Sequence, residues 1–153
     1  MATLIKKLYD YKLRAGDNLE VPIMITPVAH GAATRNTTYS YRATFKTIVG
    51  ETTPTEVVTC VAAATLNTTN YVALAVDSVP AGATHVRYYK ESGGVYYLLQ
   101  EVTAAVKIYS DKGIALSTTS IVPATNDSGR PGWQAILFQH GRYLQRQVNP
   151  LNN

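Results

Sequence analysis

Charge is scarce in this 153-residue chain: Asp, Glu, Lys and Arg make up 16% of it, against roughly 25% in an average soluble domain. With 46% hydrophobic residues, that scarcity excludes a self-repelling disordered polymer and leaves enough apolar material for a core. Cysteine is nearly absent. Cys60 stands alone, so no internal disulfide can staple the fold, and the sulfur-rich forms of zinc site are excluded. No apolar run approaches the ~18 residues of a membrane helix, so a soluble protein is expected. Phe occurs twice and Trp once, yet there are eleven Tyr and nineteen Thr. Those two residues suit a pleated, half-buried surface, which predicts β-structure and argues against a helical bundle, a coiled coil or a collagen-like chain.

Catalytic signatures are missing as well. His30 falls in a loop, His85 on a strand and His140 in the tail, without the short spacing of a metal motif. Acids are scattered singly, with no neighbouring pair poised for glycoside hydrolysis. Ser92-Gly-Gly94 lacks the Gly-Lys-Ser/Thr element and the following helix of a phosphate loop, and reads as a hairpin turn. The expectation is a protein that is no enzyme, with no cofactor, no metal and no small-molecule substrate. Cys60, within Glu56-Val-Val-Thr-Cys-Val-Ala-Ala, is expected as a small buried hydrophobe. The first twelve residues lack the apolar stretch and cleavage site of a secretion signal, so synthesis in a reducing cytoplasm is expected. Asn36-Thr-Thr, Asn67-Thr-Thr and Asn126-Asp-Ser then match the glycosylation triplet by chance.

The charge that is present sits at the ends. Residues 1–14 hold Lys6, Lys7, Lys12 and Arg14 against Asp10, a net +3. Residues 130–153 hold Arg130, Arg142 and Arg146 with no acid, another +3, so the total of +4 leaves −2 between them. A nucleic-acid binder concentrates base on one face with interleaved aromatics. Two basic ends instead suit arms that dock on acidic protein surfaces, so nucleic acid is not the expected partner.

Along the chain, residues 1–18 read as an N-terminal arm, 19–114 as a β-sandwich domain, and 115–153 as a linker with a C-terminal docking arm. Leu19 to Val28 is a short edge or connecting strand, because Pro22 and Pro27 lack the N–H that a central ladder needs. From Thr38 the run Thr-Tyr-Ser-Tyr-Arg-Ala-Thr-Phe-Lys-Thr-Ile alternates with period two. Tyr39, Tyr41, Ala43 and Phe45 are expected to pack, while Ser40, Arg42, Thr44 and Lys46 face water. After the turn Gly50-Glu-Thr-Thr-Pro-Thr, further strands are expected over residues 56–63, 71–76, 84–91, 95–102 and 106–109. Tyr88, Tyr89, Tyr96 and Tyr97 flank the Ser92-Gly-Gly94 hairpin as cross-strand pairs, with a sugar-stacking platform as the alternative use of the tyrosines. Short strands at roughly ten-residue spacing with turn signals between them predict a sandwich.

Residues 115–132 turn to Ser, Thr, Pro, Asn and Gly, the composition of a linker. Beyond them lie Trp133, Ile136, Leu137, Phe138, Arg142, Tyr143, Leu144 and Arg146, apolar anchors alternating with Arg. Aromatic and Arg side chains dominate interfaces, so these eight are the candidate partner-binding residues.

The stretch Thr38 to Ile48 followed by Gly50-Glu-Thr-Thr-Pro-Thr-Glu-Val resembles the end of a fibronectin type III-like module. Val79-Pro-Ala-Gly-Ala-Thr-His-Val-Arg-Tyr-Tyr-Lys and Gly94-Val-Tyr-Tyr-Leu-Leu resemble the middle of one. Late strands thus precede middle ones, as where one module ends and the next begins, an arrangement frequent in bacteriophage tail, baseplate and neck proteins. Phe138-Gln-His-Gly-Arg-Tyr-Leu-Gln with Val148-Asn and Leu151-Asn is similar to a docking or trimer-forming segment of phage tail-fibre and baseplate proteins. His140 stands where such segments carry a small residue or proline, and the acid that normally precedes Leu-Asn is missing.

These resemblances imply an Ig/fibronectin III-like sandwich with extended arms. They imply a structural component of a bacteriophage particle, a tail, baseplate or fibre-adaptor subunit in a homo-oligomer with other virion proteins, assembled in the host cytoplasm and residing in the virion. A capsid decoration or head–tail connector protein is the alternative within that class. A carbohydrate- or receptor-binding adhesion module is the alternative outside it.

Overall fold

The computed structural model describes residues 18–129. Seven strands build the fold: β1 (Met24–His30), β2 (Arg35–Lys46), β3 (Val58–Ala63), β4 (Tyr71–Val76), β5 (His85–Ser92), β6 (Val95–Thr103) and β7 (Ile108–Asp111). They form two antiparallel sheets, one ordered β1-β4-β7 and the other β3-β2-β5-β6. The sheets pack face to face as an all-β sandwich. Among the described residues no helix is long and apolar enough to cross a membrane.

Period-two alternation explains the core. Tyr41, Ala43 and Phe45 of β2, Val72, Leu74 and Val76 of β4, and Val86 and Tyr88 of β5 point between the sheets and are buried. Segments that read as the end of one module and the middle of the next close into a single sandwich, because β2 pairs with β5 from Tyr41↔Lys90 to Lys46↔His85. The β5–β6 hairpin turns through Gly93 and Gly94, both at positive φ (61° and 84°), the conformation a two-residue turn requires.

β1 is an edge strand, as Pro27 predicts, though it spans Met24–His30 with Pro22 outside it, and its pairing with β4 slips between Ile25 and Val28, around Pro27. Cys60 is buried on the inner side of β3, and burial raises its thiol pKa.

Two differences from the sequence reading share a cause. The outer side of β2 is not a wet face: Thr44 is fully buried. Residues 51–55 fold back along β2 beyond the end of its pairing with β3, where Thr52 and Thr55 donate backbone N–H to the carbonyls of Phe45 and Ala43. The hydroxyls of the same two threonines accept from the N–H of Phe45 and Ala43, so side chains complete the ladder beside Pro54. The second difference concerns residues 115–129, whose composition reads as linker. They run along the free edge of β6 with backbone bonds Ser117 N–H to Leu98 O, Leu98 N–H to Ser120 O and Val122 N–H to Tyr96 O. Both segments satisfy backbone groups that periodicity assigns to no strand.

Candidate functional site

The ends of the described body are clipped together. Asn18 Nδ2 donates to the Asn126 carbonyl at 3.0 Å, and Gly129 N–H donates to Asn18 Oδ1 at 2.8 Å. Asn126 Nδ2 returns a bond to the Leu19 carbonyl, and the Leu19 N–H donates to Ser128 Oγ. Ser128 is buried, and its carbonyl accepts from Thr47 Oγ1. Residues 18 and 129, 111 positions apart in sequence, therefore lie side by side at one corner. The candidate partner-binding residues Trp133, Ile136, Leu137, Phe138, Arg142, Tyr143, Leu144 and Arg146 lie outside the described residues.

Beside this corner the outer face of the four-stranded sheet carries a chain of ion pairs. The register sets Thr44, Arg87 and Glu101 in one row across β2, β5 and β6, with Lys46 and His85 in the row beside it. Arg87 lies between two carboxylates, with Nη1 2.8 Å from Glu51 Oε2 and Nε 2.5 Å from Glu101 Oε2. Lys46 Nζ lies 3.1 Å from Glu101, and His85 Nε2 lies 3.7 Å from its other oxygen. Glu51 Oε1 accepts from the Thr44 hydroxyl and from Tyr89 OH at 2.5 Å.

The electrostatics follow from that packing. Burial pulls the Arg87 pKa down, but its hydrogen bond to Glu101 and the charge of Glu51 outweigh it, so the net shift is upward. Burial pushes Glu101 up, and its bonds to Arg87 and Lys46 more than reverse this, leaving its pKa below the usual carboxylate value. Burial, helped by the Glu51 bond, raises the Tyr89 phenol. Every member is engaged, so the row ties three strands and the 51–55 segment together and holds no free base or nucleophile. Arg42, one step along the same face, sits 4.9 Å over the ring of Tyr96.

A shallow cleft of about 250 Å³ lies at the end of this row, walled by Lys46, Thr47–Glu51, Arg87, Pro123 and Asp127. Asp127 closes it by accepting the Glu51 N–H at 2.6 Å and donating its own N–H to the Glu51 carbonyl. Gly50 makes that approach possible: a Cβ there would lie 2.3 Å from the Asp127 carbonyl oxygen.

A second cluster caps the core. Asp111, fully buried on β7, accepts from Tyr41 OH at 2.9 Å, Lys90 Nζ at 2.7 Å and, through its other oxygen, Gly113 N–H at 2.9 Å. Lys90 Nζ also lies 4.2 Å over the Tyr39 ring. Burial first, then the Asp111 charge, holds the Tyr41 phenol far above its usual pKa. Among the described residues no group of three or more His, Cys, Asp or Glu could hold a metal. Tyr41, Tyr88 and Tyr89 are fully buried, so these three offer no surface to a sugar ring.

Sequence reading missed Glu51, which it left inside a turn, and Asp111, which it left at a strand end. Only their partners reveal them, and the charged ones, Arg87 and Lys90, lie 36 and 21 residues away. No protein-family model matches the chain, and neither a curated protein nor a solved structure is significantly similar to it.

Proposed function

We propose that the chain is a non-enzymatic structural subunit of a bacteriophage particle, of tail, baseplate or fibre-adaptor type. The sandwich acts as a rigid spacer, and the terminal segments lock it to neighbouring subunits. The observation that supports this reading best is the shared corner, where the Asn18–Gly129 clip brings together the roots of two basic segments. Segments rooted at one point reach the same neighbour, and joint engagement adds avidity.

Burial drives the contact. Trp133, Ile136, Leu137, Phe138, Tyr143 and Leu144 together stabilise it by several kcal/mol at about 25 cal/mol per Å². Ordering the segment costs about 2–5 kcal/mol, which repetition around a symmetric assembly offsets. The phage assignment itself rests on the resemblance of residues 38–110 and 136–152 to tail and baseplate proteins.

Purified particles from cells expressing tagged full-length chain, or the chain lacking residues 130–153, test the reading. Full-length chain in the particles with the truncated chain excluded is the expected result. Normal incorporation of a folded truncated chain would overturn the docking role, and absence of the full-length chain would overturn the phage assignment.

A further inference from the structure

The outer face of the three-stranded sheet is apolar and carries no formal charge. The register sets Ile25, Ala75 and Ile108 in one row across β1, β4 and β7, and Val28, Ala73 and Ser110 in the next. A third row pairs His30 with Tyr71, their rings stacked with centroids 4.6 Å apart. Ile25, Val28 and Ile108 are each about half exposed, and Ile23, just before β1, is 71% exposed. On the four-stranded sheet, by contrast, the outer face is filled by ion pairs, one of them from Glu51 of the segment that lines the β2 edge.

We propose that this face is a self-association surface, and that its occupant is the same face of a second copy. Three observations select that occupant. First, the edges are blunted against strand addition: Pro27 and its bulge interrupt β1, β7 is four residues long, and residues 117–122 cover β6. Second, the face has no acid to receive the basic terminal segments, whereas a copy of itself brings neither like-charge repulsion nor an ion to desolvate.

Third, the rim is charge-complementary to itself. Asp77 follows β4 at one end of the face, and Lys112 follows β7 at the other. Neither side chain forms an ion pair among the described residues, Lys107 Nζ donating at 2.8 Å to the Asp77 backbone carbonyl and not to its carboxylate. A two-fold axis lying between the sheets and across the strands reverses strand direction. It thereby brings Asp77 of each copy over Lys112 of the other. The contact is isologous, with sheets about 10 Å apart.

Area fixes its strength. Three strands about 4.8 Å apart and seven residues at about 3.3 Å each cover roughly 300 Å² in projection, well under the ~800 Å² per partner of a standard interface. The contact is therefore weak alone and suited to bodies already held side by side by other contacts.

Sedimentation equilibrium of the full chain from micromolar to millimolar concentration tests this. The expected result is a rise in mean mass towards two copies, weakened about tenfold or more by Val28→Lys and by Ile108→Lys. Ile48→Lys, at a site 83% exposed and off the face, leaves it unchanged. Near-ultraviolet circular dichroism confirms that each variant is folded. A bismaleimide of about 10 Å span should link Ala73→Cys chains through that position into dimers, while wild type, whose Cys60 is buried, stays unlinked. A monomeric wild type, face variants that associate normally, or no linkage at position 73 overturns the proposal. Loss of particle docking on removal of residues 130–153 concerns the terminal segment alone, so the two readings fail separately.

Discussion

Removing the Asp111 carboxylate should destabilise the sandwich more than any substitution on its surface. In Asp111→Ala the Lys90 ammonium, only 14% exposed, loses its counter-ion and keeps only the faces of the Tyr39 and Tyr41 rings, at 4.2 and 5.9 Å. The fully buried Tyr41 hydroxyl and the Gly113 N–H lose their acceptor in the same step. Breaking a buried pair by deleting one partner costs about 3–5 kcal/mol. An orphaned buried hydroxyl adds about 1–3 kcal/mol in isolation, and the two overlap because all three donors converge on one carboxylate. A net loss of about 4 kcal/mol is a large part of the ~5–15 kcal/mol that holds a domain folded.

Urea unfolding followed by tyrosine fluorescence reads this directly, as a lower midpoint at unchanged slope. In a thermal scan the same loss appears as a fall of roughly 8–16 °C, at about 2–4 °C per kcal/mol for a chain of this size. Lys90→Met in the Asp111→Ala background should recover at least half of the loss, since replacing both members of a buried pair by apolar groups is often near neutral. An Asp111→Ala protein within about 1 kcal/mol of wild type would refute the reasoning. So would a double variant whose loss equals or exceeds the sum of the two single ones, because additivity would mean that the charges do not see each other.

Gly50→Ala should push the Asp127 segment off the body, because the added Cβ would lie 2.3 Å from a backbone oxygen. Expected are a loss of about 1–3 kcal/mol and faster amide exchange in residues 117–128, read by hydrogen-exchange mass spectrometry. Glu101, whose pKa the Arg87 and Lys46 bonds depress below 4.5, gives up its stabilisation as pH falls from about that value through its folded pKa. Glu101→Gln should flatten this part of the acid profile of urea midpoints and leave the neutral-to-alkaline part in shape. Tyr41, Tyr88 and Tyr89 are all shifted above 10.0, so their contribution is complete below that pH and is lost as pH rises beyond it. An absorbance titration at 295 nm should find these phenols ionising only with unfolding, and three that titrate freely near pH 10 in the folded protein would contradict their burial.

Alternation carried most of the fold. Tyr71–Val76 has the bounds its pattern predicts, and the residue 84–91 and 95–102 strands are each displaced or extended by one position. Pro27 marked an edge because a missing N–H acts locally, and Gly93-Gly94 marked a turn because positive φ does too. What stayed hidden depends on distant partners. Nothing near Glu51 announces Arg87, Tyr89 and Thr44, and the Ser/Thr/Pro composition of residues 115–129 looks the same whether the segment hangs free or lines an edge. The outer face of β2 was misread for the same reason: Ser40, Arg42, Thr44 and Lys46 have the polarity of a wet face, and the side chains that engage it, Glu51, Arg87 and Tyr96, come from other segments.

The low charge of the chain takes on a different meaning once the pairs are located. Residues 18–129 hold eight acids and seven bases, a net charge of −1. Six of those fifteen, Lys46, Glu51, Arg87, Lys90, Glu101 and Asp111, are spent on one another inside the two clusters. The surface of the body is thus poorer in charge than its composition, and one whole sheet face has none. Repulsion that keeps soluble domains apart is correspondingly weak between two such bodies. Net charge of one sign belongs instead to residues 1–17, at +2, and 130–153, at +3. Charge that resists approach and surface that favours it are thereby segregated along the chain. On the proposed reading, docking of the ends removes the remaining like charge between copies and strengthens a sheet-to-sheet contact that already forms, weakly, without it.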